Sequence, residues 1–349
     1  MMRRLLKPIA ATAVVLALAA CGGHRAASRT ITPVLLRNAV REIAAAGPAM
    51  TVAVFQSGRA PVTYSTITKS TADALARPFY GGSLAKETVA LMTLNLASEG
   101  KIRLDAPVAT YVSALGALGR RVTIRELLDQ TSQLPDYVGV VPGKATRADV
   151  DNAIAHMNSL ALIDSPGSRF FYSNTNYYLL SKVISAVEKK TFDTVANTYM
   201  RSLSVNAYRF VDGPVPGVVP GRDCLSGKVV KPNIAIARGS GNVVTTVEAL
   251  GTLDARIMEH VAESGSPMSK IATPAIMIQG RDDGYSYGEY VSNLAGQKII
   301  WHDGLIPGYT SYNGMAPGAR TSLAIVAACS PYDVVTLARR LWPYIFGST

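Results

Sequence analysis

Cysteine and histidine are scarce in this 349-residue chain, at three and four residues. No His-Glu-x-x-His and no Cys/His cluster occurs, so no metal is expected, and no motif asks for a cofactor. Lys/Arg tracts and basic stretches interleaved with aromatics are missing too. The 35 basic and 24 acidic residues, formally +11, are scattered along the chain. That distribution argues against nucleic acid as a partner and fits an anionic membrane or cell-wall surface. There is no internal repeat, and past the N-terminal segment no run is apolar enough to span a bilayer. What is present is 48% hydrophobic, enough for one large domain or two intermediate ones.

The start, "MMRRLLKPIAATAVVLALAACGG", sets basic residues before a short apolar run from Ile9 to Ala20. This has the shape of a secretory signal peptide. Leu18-Ala19-Ala20-Cys21 resembles a bacterial lipobox, in which the cysteine is lipidated and becomes the first residue. The other reading is an ordinary signal with an incidental cysteine. The lipobox predicts a signal peptide over 1–20, a tether over 21–32 and one domain over 33–349. It predicts an exported lipoprotein of the bacterial cell envelope, held by its lipid anchor on the periplasmic side of a membrane or at the cell surface. Export permits disulfides. Whether Cys224 and Cys329 pair stays open, with a buried free thiol at Cys329, inside "SLAIVAAC", the plainer expectation.

Along the domain, Leu35, Leu36, Val40 and Ile43 predict a helix over about 33–46. "AMTVAVFQSG" and "APVTYSTIT" read as a hairpin. Thr123-x-x-Glu126 is a capping box opening "VTIRELLDQTS". Further helices are expected from Asn174–Thr175, with Asn174 as N-cap, and from Thr245, which has Glu248 three residues on. "YSYGEYVSN", "QKIIWHDG", "YTSYNGMAP" and "RTSLAIVAAC" then alternate or run apolar at strand length, and "DVVTLARRLWPYIF" closes as a helix. Strands at both ends with helices between them predict an α+β fold: one antiparallel sheet flanked by helices, built from both chain ends, with an all-helical insertion over about 101–235.

"FYGGSLAKETVALMTLNLASE" carries the chemistry. Ser83 and Lys86 stand one helical turn apart on one face, and the apolar residues that follow predict a buried helix. A lysine there loses its proton readily, and a serine is a poor nucleophile until a base takes its proton. "FYSNTNYYLL" adds Tyr172 and Asn174, and "WHDGLIPGYTS" adds His302, Asp303 and Gly304. Ser-x-x-Lys, Tyr-x-Asn and His-x-Gly in this order resemble the penicillin-recognising serine enzymes, in particular the class C β-lactamase, DD-peptidase and esterase group. "GKIRLDAPVATYV", "TIRELLDQTSQLPDY", "GSGNVVTTVEAL" and "IPGYTS" add to the likeness, which runs from about Thr32 to the end of the chain.

The resemblance implies the β-lactamase/transpeptidase-like fold and an acyl-enzyme on Ser83. Lys86 or Tyr172 would be the base, a choice left open because the two titrate together. Asn174 would orient the substrate amide and help fix Lys86. His302 would lie across the cleft near the substrate's carboxylate or leaving group, and the backbone N–H groups of Ser83 and Leu305, the latter after Gly304, would form the oxyanion hole. Its substrate would be a D-amino-acid peptide, such as a peptidoglycan peptide, or a small ester, with weak β-lactamase activity. Two features depart from the common pattern. Gln130-Thr131-Ser132-Gln133-Leu134 stands where His-Thr-Ser-Gly-Leu is usual, and His302 replaces the lysine of true β-lactamases. Two other readings remain: a non-hydrolytic penicillin-binding-like scaffold, and an α/β-hydrolase-type esterase in which Gly81-Gly82-Ser83-Leu84-Ala85 nearly forms the nucleophile elbow.

Overall fold

The computed structural model describes residues 30–44, 47–157, 161–263 and 266–347. The expected signal peptide, Cys21 and most of the tether lie outside the described residues.

Alternating apolar strands from both ends of the chain meet in one eight-stranded sheet. Its spatial order is Val62–Ser65, Met50–Gln56, Thr321–Ala327, Tyr309–Ala316, Gln297–Ile306, Glu289–Leu294, Gly284–Ser286, Ile276–Met277. Every pairing in it is antiparallel. The α/β-hydrolase reading, which needs parallel strands joined by helical crossovers, is thereby excluded. The two chain ends join where Met50 pairs with Ala327 and Gln56 with Thr321.

Thr321–Ala327 is buried at every residue because both faces of the sheet are covered. Val52, Val54, Leu323 and Ile325 meet Leu36, Val40, Leu341 and Trp342 of the terminal helices Pro33–Ile43 and Val334–Phe346. Ala53, Ala324 and Val326 belong to the second core, with Val89 of helix Ala85–Ser98 and Leu250 and Leu253 of helix Val247–Val261. Between Ser98 and Val243 the described residues add no strand to the main sheet: the longer elements are helices, and the two-residue strands Arg209–Phe210 and Arg222–Asp223 belong to small separate sheets.

Local signals fix most helix starts. The capping box forms at Thr123 and Glu126 as its spacing predicts. Two starts shift by one residue. Thr245 ends the buried strand Val243–Thr245, so Thr246 is the cap and accepts from Ala249 N–H at 3.1 Å. Ser173, in extended conformation, takes the N-cap position of helix Asn174–Glu188, which leaves the Asn174 amide free for other work. The expected free thiol at Cys329 is corrected: Cys329 pairs with Cys224, their Cα atoms 5.2 Å apart. The strand end at Cys329 runs parallel to Arg222–Asp223, and that pairing brings the second sulfur alongside.

Candidate active site

The nucleophile candidate sits in a tight turn. Gly82–Leu84 forms one turn of 3-10 helix before the buried helix Ala85–Ser98. Gly82 holds φ +55°, and a Cβ there would stand 3.1 Å from the Leu305 nitrogen. Gly304 lets strand Gln297–Ile306 come closer still, since a Cβ on it would collide with the Gly81 carbonyl and the Ser311 hydroxyl. The Ser311 hydroxyl donates to that same carbonyl at 2.8 Å. Two glycines in sequence-distant segments thus bring the Ser83 turn and the strand into backbone contact.

The register then places a free donor beside Ser83. Ile306 and Tyr309 close a two-residue hairpin, followed by the pairs Leu305–Thr310 and Gly304–Ser311. Hydrogen-bonded and non-hydrogen-bonded pairs alternate, so Leu305 directs its N–H away from strand Tyr309–Ala316. On the other side, strand Glu289–Leu294 pairs only as far as Tyr290 with Trp301. The edge from Asp303 to Ile306 is therefore open next to Ser83.

Lys86 is fully buried. Its Nζ donates to Asn174 Oδ1 at 2.9 Å and to the Ser240 carbonyl at 2.7 Å, and lies 3.0 Å from Ser83 Oγ. Burial lowers its pKa to about 7, against the opposing pull of Asp136 and Asp303. Tyr172 stands beside Ser83, and its ring centroid is 4.8 Å from Lys86 Nζ. Burial holds the Tyr172 phenol well above its ordinary range, the Tyr290 phenol adding to it, so Tyr172 is neutral in the resting site.

Asn174 is clamped on both sides, because its Nδ2 donates to Asp136 Oδ2 at 2.9 Å. Asp136 stands in the quoted "QLPDY" but carries no role in the motif reading. Ser240 contributes only a backbone carbonyl, which no side-chain pattern announces. Its position is set by Tyr137, whose hydroxyl meets Ser240 Oγ at 3.0 Å. Asp136→Ala removes both the clamp on Asn174 and a negative charge that supports the protonated lysine. The expected result is a fall in kcat of about tenfold, with the acidic limb of kcat/KM moved to lower pH. A pH–rate series on both proteins checks this.

The unusual Gln130–Leu134 stretch is held by its own side chains. Gln133 keeps the left-handed backbone that glycine favours, with φ 61°, and its amide donates to the Arg169 carbonyl at 2.6 Å. Gln130, also left-handed, accepts at Oε1 from the Ser173 N–H at 2.9 Å and from the Asn176 side chain. Two glutamine side chains thus fasten the segment bearing Tyr172 and Asn174. Gln130→Ala strands two buried donors and is expected to cost about 2 kcal/mol. Urea unfolding measures it.

His302 faces the same side as Ser83's neighbours but is fully buried. Its Nδ1 is 2.5 Å from the Asp303 carbonyl and its Nε2 is 3.4 Å from the Tyr285 hydroxyl. The ring lies 6.1 Å from that of Tyr172 and 5.3 Å from that of Tyr290. Burial and the nearby Lys86 charge lower its pKa to about 3. Both ring nitrogens face protein partners, and the neutral imidazole lies beside Tyr172.

Behind Lys86 the helix turns a different face to the sheet. Glu87, Asp254 and Glu289 are fully buried together, and Asn313 Nδ2 donates to Asp254 at 2.7 Å and to Glu87 at 3.3 Å. Burial pushes all three carboxyls up, Asp254 to about 7.

The family model described as Beta-lactamase matches residues 36–342. Among curated relatives, "Protein flp" of Staphylococcus aureus is 21% identical over 275 residues, covering 74% of this chain and 54% of the relative. "Penicillin-binding protein 4*" of Bacillus subtilis is 25% identical over 255 residues, covering 66% and 56%. The chain thus spans little more than half the length of these relatives. Among solved structures, a D-stereospecific amidohydrolase from Streptomyces sp. superposes with a TM-score of 0.75 at 21% identity, over 91% of this chain and 100% of that one. The D-amino acid amidase of Ochrobactrum anthropi gives 0.75 at 18%, over 90% and 99%. A class C β-lactamase mutant gives 0.73 at 16%, over 90% and 99%. At these identities the structures speak for the fold, while the family match spans most of the domain: the chain belongs to the Beta-lactamase family.

Proposed function

We propose that the protein is a serine hydrolase that forms an acyl-enzyme on Ser83 and acts on D-amino-acid peptides or amides, or on small esters. The observation that carries this is the set of partners around Lys86 Nζ. Two of the three, Asn174 Oδ1 and the Ser240 carbonyl, can only accept hydrogen bonds. When Lys86 is neutral, its two N–H groups go to those oxygens and its lone pair is left for the Ser83 hydroxyl. Lys86 is then the base, and Tyr172, held as a phenol, passes protons as a hydrogen-bonded relay.

In the proposed sequence Lys86 takes the Ser83 proton as Oγ bonds to the substrate carbonyl carbon. The oxyanion settles between the N–H groups of Ser83 and Leu305. The proton on Lys86 passes through Tyr172 to the leaving nitrogen or oxygen, and the C–N or C–O bond breaks. Water then attacks the ester carbon, giving its proton back through the same pair and restoring Ser83. An amide or ester substrate running along the open Asp303–Ile306 edge would present its carbonyl to this hole.

The D-amino-acid preference draws on the amidohydrolase and amidase named above and on the resemblance in the motifs. With His302 neutral and covered, a substrate carboxylate gains no charge-assisted contact from it, which favours amides and esters over penicillins. The test is kcat/KM for p-nitrophenyl butyrate, a D-amino-acid amide, a D-Ala-D-Ala peptide and nitrocefin on one preparation. Turnover of an ester or a D-amide, with nitrocefin slow, is the expected result. Nitrocefin cleared near the diffusional ceiling of about 10⁸ M⁻¹s⁻¹ would make the protein a dedicated β-lactamase. No turnover of any substrate would favour the binding-only scaffold. The lipobox further supports export with Cys21 acylated, which the mass of the mature N-terminus tests.

A further inference from the structure

A second cleft lies away from Ser83, at the opposite end of helix Asn174–Glu188. It is a shallow, open depression of about 740 Å³ and includes Lys182, Lys189, Lys190 and Arg238 in its lining, with no carboxylate among the lining residues. At 1.5 Å per residue, Lys189 is about 20 Å from Asn174 along the helix axis.

The charge balance is not closed locally. Lys182 pairs with Asp151 at 2.7 Å, and that carboxylate also accepts from the Tyr178 hydroxyl at 2.8 Å. Arg238 feels Asp193 and stands 5.9 Å over the Phe192 ring, yet its Nε is buried with no hydrogen-bond partner among the described residues. Lys189 and Lys190 are exposed, and their ammonium groups make no ion pair among the described residues. Lysines after a helix C-terminus also complement the helix dipole, and one of them would suffice for that. The dipole accounts neither for the unpartnered Arg238 nitrogen nor for a lining without acids. Thr191, which also lines the cleft, caps the start of helix Phe192–Ser202, so a helix N-terminus adds its positive end there.

We propose that this cleft binds a phosphate-bearing anion, with Lys189, Lys190 and Arg238 as its ligands and Lys182 as a charge held in place by Asp151. A phosphoryl group matches the donor set, because its several acceptor oxygens can engage lysine ammonium and guanidinium groups together. The volume admits more than one such group. The phosphate belongs either to a soluble phosphate ester or to an anionic lipid headgroup.

The test titrates full-length mature protein with inorganic pyrophosphate and glycerol 3-phosphate at constant ionic strength, following binding by calorimetry. A parallel arm measures co-sedimentation with phosphatidylglycerol vesicles against phosphatidylcholine vesicles. The double variant Lys189→Gln/Lys190→Gln, and separately Arg238→Gln, are compared, and ester hydrolysis at Ser83 is read on every protein. Saturable binding of a soluble phosphate that weakens tenfold or more in the double variant, with ester hydrolysis unchanged, is the expected result. Selective binding to phosphatidylglycerol alone, weakened in the same way, assigns the headgroup as the source and equally supports the site. Binding that the variants leave intact, or no binding in either arm, overturns the proposal. Neither outcome bears on the chemistry at Ser83.

Discussion

Lys86→Ala is expected to slow acylation of Ser83 by roughly 10²–10⁴-fold, the usual scale for losing a general base. The reason is geometric: no other described side chain that can accept a proton at neutral pH stands within hydrogen-bond reach of Ser83 Oγ. Tyr172 stands beside it, but burial keeps that phenol protonated. The pH dependence gives a second handle. Lys86 must be neutral to act, and its pKa is near 7. Acylation therefore rises with pH through about 7 and levels above it. Single-turnover acylation by a chromogenic ester, from pH 5.5 to 9, measures both effects. A flat profile in the wild type, or a Lys86→Ala variant that still acylates at full rate, would contradict this role.

The second large effect concerns stability. Asp254 holds its proton up to about pH 7 in the folded protein, whereas an unfolded aspartate releases it near pH 4. Between those values the folded state binds the extra proton, so this group's contribution to stability falls as pH rises. The loss reaches about 4 kcal/mol at most by neutral pH. Glu87 and Glu289 face Asp254, are raised in the same direction and add to the trend. Two other buried groups oppose it. His302, lowered to about 3, gives stability that rises with pH up to its unfolded value, and Lys86 does the same above about 7. The clean measurement is therefore a difference. Asp254→Asn should gain on the wild type steadily from pH 4.5 to 7 in urea unfolding, because an amide has no proton to lose. A constant difference across that range would mean that Asp254 ionises normally inside the fold.

Much of this architecture is readable from residue order. Alternation in "TSLAIVA" and "IIWHDG" identifies strands, and the Thr123–Glu126 spacing identifies a helix start, because both depend on local periods of the chain. Ser83 and Lys86 lie one turn apart, so their meeting is equally local. Tyr172, Asn174 and Gly304 come together only through long-range packing, and their place rests on resemblance of ordered motifs. What the sequence does not announce is of two kinds. Ser240 works through a backbone carbonyl, which does not constrain its side chain, and the Leu305 N–H is named by the resemblance alone. Asp136, Gln130 and the Glu87–Asp254–Glu289 cluster act through contacts between segments tens to hundreds of residues apart. His302 shows the converse: its motif position is clear, but only the surrounding tyrosines reveal that it is covered and neutral. The Cys224–Cys329 pair depends on two strands meeting, which the apolar surroundings of Cys329 do not foretell.

Ser83 is expected to carry a covalent acyl group during turnover. Intact-protein mass spectrometry after incubation with a fluorophosphonate, and separately with a penicillin, tests it directly. One adduct per chain is expected, mapped after digestion to the peptide containing Ser83 and absent in Ser83→Ala. An adduct that persists unchanged in Ser83→Ala, or maps to another peptide, would contradict it.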